Sequence, residues 1–291
     1  MLPVSPDISE ELRRECEASG DFRPIYFEWY KYVGLLCNFF ASVRADSPGV
    51  IDLPATHYAV LIGLLNRCSR LMLANTALGN AGRFGESTAI IDRCIFESGV
   101  KLRWLCRQAN QEAFTRFLLD GLRPEVEFKA VISENARQRG ALIAIERRML
   151  DSIDRYMASV EADDATVLAS QRLPDLASMI TAIGEDRLLY VIGQRIGSHH
   201  VHGTWVSLRR DYLEEYDGVL GPKDHVSETH ESQFLLTSIL VLETMKAFVS
   251  FAFRPDPMKD ELLSVVDAVS EEVRGINPNA RERDEAADGE I

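Results

Sequence analysis

The sequence lacks the marks of several large function classes. Its five cysteines include no Cys-x-x-Cys pair, so neither a thiolate zinc site nor a disulfide framework is expected. An odd number among mostly apolar neighbours reads as buried free thiols in a reducing, cytoplasmic setting. Positive charge is scarce: 32 Lys and Arg face 45 Asp and Glu, for a net charge of −13. Bulk electrostatics therefore oppose non-specific binding to nucleic acid or an anionic membrane, which leaves RNA only a local basic cleft. No His-Glu-x-x-His, Gly-x-Ser-x-Gly or lysine-bearing phosphate loop occurs, and no cofactor is implied. The N-terminal residues show neither a basic nor an apolar leader pattern, so no signal peptide is expected. The most apolar stretch, Phe234 to Phe253, is interrupted by Glu243 and Lys246. That suits a buried core helix rather than a membrane span. Nor does an Asn-Gly hairpin signal stand between alternating strands.

Helical periodicity is what fills the chain, and 46% hydrophobic residues over 291 positions allow a sizeable core. The pattern predicts an all-α fold, a multi-helix bundle around a central antiparallel helical hairpin. The hairpin joins a helix over about 55–78 to one over about 87–107 through a glycine-rich turn at Gly79–Gly82. Residues 1–45 are expected to form N-terminal helices on the core, the first opened by Asp7-Ile-Ser-Glu10 as a capping box. The second is aromatic, and its stripe Tyr26, Trp29, Tyr30 and Val33 reads as core or dimer contact. Residues 55–274 form the all-helical core domain. Within it Pro124 should stop or kink a helix, 217–224 is a loop, and 227–253 is a long helix. The tail 275–291 is acidic and expected to be disordered.

Three of the six histidines fall in Arg195-Ile-Gly-Ser-His199-His200-Val-His202-Gly203. On a helix, Arg195, Ser198, His199 and His202 share a face, with His200 about a quarter turn aside. A neutral imidazole can move a proton at cellular pH, and a guanidinium can hold phosphate or carboxylate. His202 is the candidate general base and His200 or His199 the acid, with Arg195 on phosphate. Histidines capping carbonyls at a helix end are the structural alternative. A metal reading would join His199 and His202 to His225, His230, Asp224 and Glu228. The spacings Arg195-x4-His200 and Arg195-x6-His202 are similar to the motif of HEPN-type ribonucleases, although Ile196 stands where those have a polar residue.

A second constellation lies on the other arm of the hairpin. Arg93 and Glu97 are four apart among Ile90, Ile91, Cys94, Ile95 and Phe96. If buried, each charge needs a partner, and the histidine helix is a candidate source. Glu86 and Asp92 are nearby, and Arg103 lies further along the same helix.

Arg93-x3-Glu97 followed by an apolar-aromatic run resembles the central helix of the bacterial DUF5677 family. Tyr190, Ser198 and His202-Gly203 are similar to that family's Tyr, Ser and His-Gly segment. The resemblance covers roughly Thr56 to Tyr212. It implies an all-helical bundle and a shared site of Arg93, Glu97 and His202, and it implies no reaction.

The combined expectation is a metal-independent endoribonuclease or phosphodiester-acting enzyme of a toxin or phage-defence system. Its catalytic residues would be His202, His200, His199, Arg195, Arg93 and Glu97, with Ser198, Tyr190 and Arg103 as substrate contacts. It is expected to be a homo-oligomer, with RNA or a protein encoded nearby as partner. The alternatives are a non-catalytic module binding a small anion or a protein, and a His/carboxylate metal-dependent hydrolase.

Overall fold

The computed structural model describes residues 2–80, 83–225 and 227–277, apart from the side chains of residues 194–196. The chain is all-α, with one small two-stranded ribbon. It divides into two compact units, residues 1–107 with 176–291 and residues 108–175. The single core expected over 55–274 did not include this division. The expected acidic tail lies outside the described residues beyond Asn277, as do residues 81–82 of the glycine-rich turn.

The larger unit is built on helices α1 (Glu10–Ser19), α2 (Arg23–Ala41), α3 (Ala55–Gly79) and α4 (Gly85–Gln108). Ser9 caps α1, two residues after the expected Asp7, and Gly20 ends it in the left-handed region. Polar bonds fix how α3 and α4 run. Arg67 pairs with Ser98, Cys68 with the Ile95 carbonyl, and Asn75 with Asp92. As numbers rise on one helix they fall on the other, so the two are antiparallel, as the sequence predicts.

α2 is likewise antiparallel to α3, with Ser69 donating to the Gly34 carbonyl and Cys37 to that of Leu65. The aromatic stripe Tyr26, Trp29, Tyr30 and Val33 is buried here and belongs to the core. Helix α12 (Glu231–Ala252) completes the layer, with Phe234 edge-on to both Phe27 and Tyr30. It is the one helix among the described residues long and apolar enough to cross a membrane, and more than half of its apolar window is buried within the protein.

The smaller unit holds α5 (Gln111–Arg139), α6 (Ala144–Ser159) and α7 (Asp164–Ala169). Leu119, Leu122, Val126, Ile153, Met157 and Val167 form its core. Pro124 sits inside α5 without ending it. The helix stops instead at Gly140, which is left-handed. Burial of Leu122 and Val126 on either side of the proline offsets the hydrogen bond that Pro124 cannot donate.

The segment that carries the histidines is not one regular helix. It follows α8 (Leu176–Ala182) and runs as α9 (Arg187–Tyr190), a π-helical turn over Val191–Arg195, and α10 (Ile196–Val201). A π turn inserts an extra residue and rotates every later side chain relative to the expected wheel. Two glycines face α4. A Cβ on Gly193 would lie 2.3 Å from the Phe96 ring, and one on Gly197 would lie 2.6 Å from the Arg93 Cβ. At Gly197 the segment therefore packs on the α4 backbone, with the Ala89 carbonyl oxygen 3.1 Å from the same Cβ position, and at Gly193 it packs on the Phe96 ring. Beyond α10 come α11 (Trp205–Ser207), a second π turn over Leu208–Tyr212, and a hairpin of β1 (Leu213–Tyr216) and β2 (Val219–Pro222). Its turn is Asp217-Gly218, both at positive φ. This is the two-residue type I′ geometry, and it replaces the loop expected at 217–224.

The contact between α4 and the histidine segment gives a stability test. Gly197→Ala should destabilise the protein by about 1–3 kcal/mol through overpacking. Gly63→Ala, exposed on α3 with open space around it, should stabilise by about 0.5–1 kcal/mol from helix propensity alone. Urea midpoints measure both; equal effects of one sign would contradict the packing.

Candidate functional site

One face of α4 carries Glu86, Ala89, Asp92, Arg93, Phe96 and, two turns on, Arg103. Together with the glycine face of the histidine segment and the start of α12, this face lines a cleft of about 840 Å³. The segment before α12 crosses the beginning of α4, where the Gly85 amide donates to the Ser227 carbonyl at 2.9 Å. Apolar walls come from Phe96, Leu189, Ile192, Leu236 and Leu240.

Of the three clustered histidines, His200 is the one that lines the cleft, which His230 at the start of α12 also borders. His200 is 8% exposed and lies three residues beyond Gly197 on the face that meets α4. Arg210 from the second π turn donates its Nη2 to His200 Nε2. A guanidinium only donates, so Nε2 is an acceptor and the ring proton sits on Nδ1. Nδ1 is buried without a hydrogen-bond partner, with Asp211 Oδ2 at 3.8 Å. Arg210 Nε binds Asp211 Oδ2 at 3.0 Å and the Ser227 hydroxyl donates to Oδ1 at 2.9 Å. Burial, helped by the charges of Arg210 and His199, lowers the His200 pKa against the opposing pull of Asp211 and Glu86. The ring is therefore neutral at pH 7.

The other expected histidines stand elsewhere. α10 ends at Val201, so His202 is past the helix end and exposed; it does not line the cleft. His199 Nδ1 bonds the Thr204 hydroxyl at 2.9 Å. Ser198 and Tyr190 are half-buried and also off the cleft lining. The Arg195 side chain lies outside the described residues. No three His, Cys, Asp or Glu side chains among the described residues gather as metal ligands, which leaves the metal reading without a ligand set.

On α4 the expected Arg93–Glu97 pair is replaced by another. Glu97 binds Lys101 Nζ at 2.6 Å and faces away from the cleft. Burial pushes its carboxyl up, but Lys101 outweighs this and holds it below the usual range. Arg93 does line the cleft. Its Nε is buried and unpartnered, and no carboxylate lies within ion-pair distance of it among the described residues. Arg103 also lines the cleft, paired with Glu185.

Asp92, which the sequence marks only as a neighbour of Arg93 and Glu97, is a site residue in its own right. Asn75 donates to its Oδ1 at 2.8 Å and Gln233 to its Oδ2 at 3.2 Å. Burial pushes its pKa up to about 7, against the bonds from Gln233, Thr237 and Asn75. Asn75 also donates to the buried Tyr30 hydroxyl, so Asp92 joins α2, α3, α4 and α12. A carboxyl poised at cellular pH on a cleft wall can give or take a proton.

Asp92 ties stability to pH with a definite sign. A raised folded pKa stabilises fully below the unfolded value of about 3.9, and that contribution is lost as pH rises through about 7. Asp92→Asn keeps the shape without the charge. Its unfolding midpoint should rise relative to the wild type between pH 5 and pH 8. Parallel pH profiles for the two proteins would contradict the assignment.

Comparison with known proteins bears on the family alone. The model of DUF5677, a family of unknown function, matches residues 58–219. That span takes in Asp92, Arg93, His200 and Asp211, and stops short of α12. No curated protein and no solved structure matches the chain, and the likeness to HEPN-type ribonucleases gains no support from them. With more than half of its length matched, the chain belongs to the DUF5677 family.

Proposed function

We propose that the cleft binds a small organic anion with an apolar body, held by Arg93. One observation carries this reading: a guanidinium whose Nε is buried, unpartnered and on the wall of an open cleft. A buried donor left without a hydrogen-bond partner costs about 1–3 kcal/mol, and such an atom in a native structure calls for a partner from outside the chain or a functional role. The apolar wall formed by Phe96, Leu189 and Leu236 would take the rest of the molecule.

The ribonuclease reading is retained as the second, moved from His202 to His200. Its support is a ring held neutral at cellular pH and a carboxyl raised to about 7 that line the same cleft. Six carboxyl side chains against four arginines line the cleft, a balance that disfavours a polyanion and favours a small ligand. The five unpaired cysteines support a reducing compartment.

Calorimetric titration tests the first reading. Octanoate should bind the wild type, and Arg93→Met should weaken it by about tenfold or more, the worth of a charge-assisted hydrogen bond. Inorganic phosphate, lacking the apolar body, should bind less well than octyl phosphate. Equal affinity of octanoate for both proteins would contradict the role of Arg93. Total RNA incubated in EDTA tests the second reading: cleavage by the wild type and not by His200→Ala supports it, and no cleavage contradicts it.

A further inference from the structure

Arg93 is not the only unsatisfied group in the cleft. Glu86 is 8% exposed, and its Oε2 is buried with no hydrogen-bond partner. No ion pair reaches it among the described residues. An acid in the first turn of a helix is ordinary when water solvates it, because the helix dipole favours it there. Burial removes that solvent, and the carboxylate then needs a donor. His200 and Tyr212 are near enough for its charge to act on them. His200 is neutral and carries its one proton on an Nδ1 that is itself unpartnered.

Glu86 and Arg93 are seven residues apart on α4, which is two helical turns. Both therefore point to the same side, about 10 Å apart along the axis. Ala89 is the residue between them on that face, and it lines the cleft with them. Gly197 of the histidine segment packs beside it, on Arg93 and the Ala89 carbonyl, and lines the same cleft. The unsatisfied atoms thus form a pattern: an acceptor at one end, a donor cation at the other, and an apolar wall alongside.

We propose that the ligand is bifunctional, with an amine or other N–H donor group at Glu86, an anionic group at Arg93, and an apolar spacer between. This rests on the anion reading above and adds the second end of the molecule. An ω-amino acid is the simplest compound with that chemistry. The structure distinguishes it from a simple fatty acid, which would leave Glu86 buried and unpaired, and from an amine, which would do the same to Arg93.

Titration of the full-length protein with 8-aminooctanoate, octanoate and octylamine tests this. The wild type should bind 8-aminooctanoate at least tenfold more tightly than either of the other two. Glu86→Gln should abolish the preference over octanoate, and Glu86→Ala should do the same, with melting curves showing that both variants fold. Arg93→Met should abolish the preference over octylamine. Octanoate binding as tightly as 8-aminooctanoate to the wild type would overturn this inference and leave the anion site standing. So would an equal loss of both ligands in the two folded Glu86 variants. No binding by any of the three would overturn the anion reading and this inference together.

Discussion

The close seating of the histidine segment on α4, against the Phe96 ring at Gly193 and against the helix backbone at Gly197, is the constraint on which the rest of the site depends. Side chains normally hold helices 8–10 Å apart. Here the histidine segment lies on α4 so closely that a single methyl group would collide with Phe96 or with the Arg93 stem. That contact brings His200 into the same cleft as Arg93 and Glu86. It also sets what cannot be there. His199 is off the cleft because only one stripe of a helix can meet its neighbour, and His202 because the helix has ended at Val201.

The cleft combines two environments that pull its titratable groups in opposite directions. Burial keeps His200 neutral by lowering its pKa and keeps Asp92 partly protonated by raising its own. Both effects have one cause, the loss of water around a charge. Arg93 cannot escape in this way, because a guanidinium does not lose its proton in proteins. The site therefore contains two groups that adapt to burial by their protonation and one that cannot. The last is the group for which a ligand is the natural partner.

Much of this was legible in the sequence, and the failures have identifiable causes. Arg93 was legible because a charge inside an apolar helical run has to be explained. Glu97 failed as its partner because Lys101, one turn further on, takes the carboxylate first. The histidine face was misread because a regular helical wheel drawn from Arg195 assumes a helix that continues through His202. The helix ends at Val201, after a π turn. The spacing Gly193, Gly197, His200 did signal the packed face, as glycines one turn apart mark close backbone contact. Asp217-Gly218 was an equally readable hairpin signal, since only residues tolerant of positive φ fit that turn. Asp92 was not readable. Its partners come from helices as far as 141 residues away, and no local pattern reports a burial that the whole bundle creates.

The central claim is that the Arg93 guanidinium is held open for an anion. Nuclear magnetic resonance of arginine side chains tests it most directly, with Arg93→Met used to assign the Nε–H signal. Titration with octanoate should shift the Arg93 Nε–H resonance strongly and saturably, while that of Arg103, already paired with Glu185, moves little. An Arg93 signal that stays fixed, or moves no more than that of Arg103, would contradict the account.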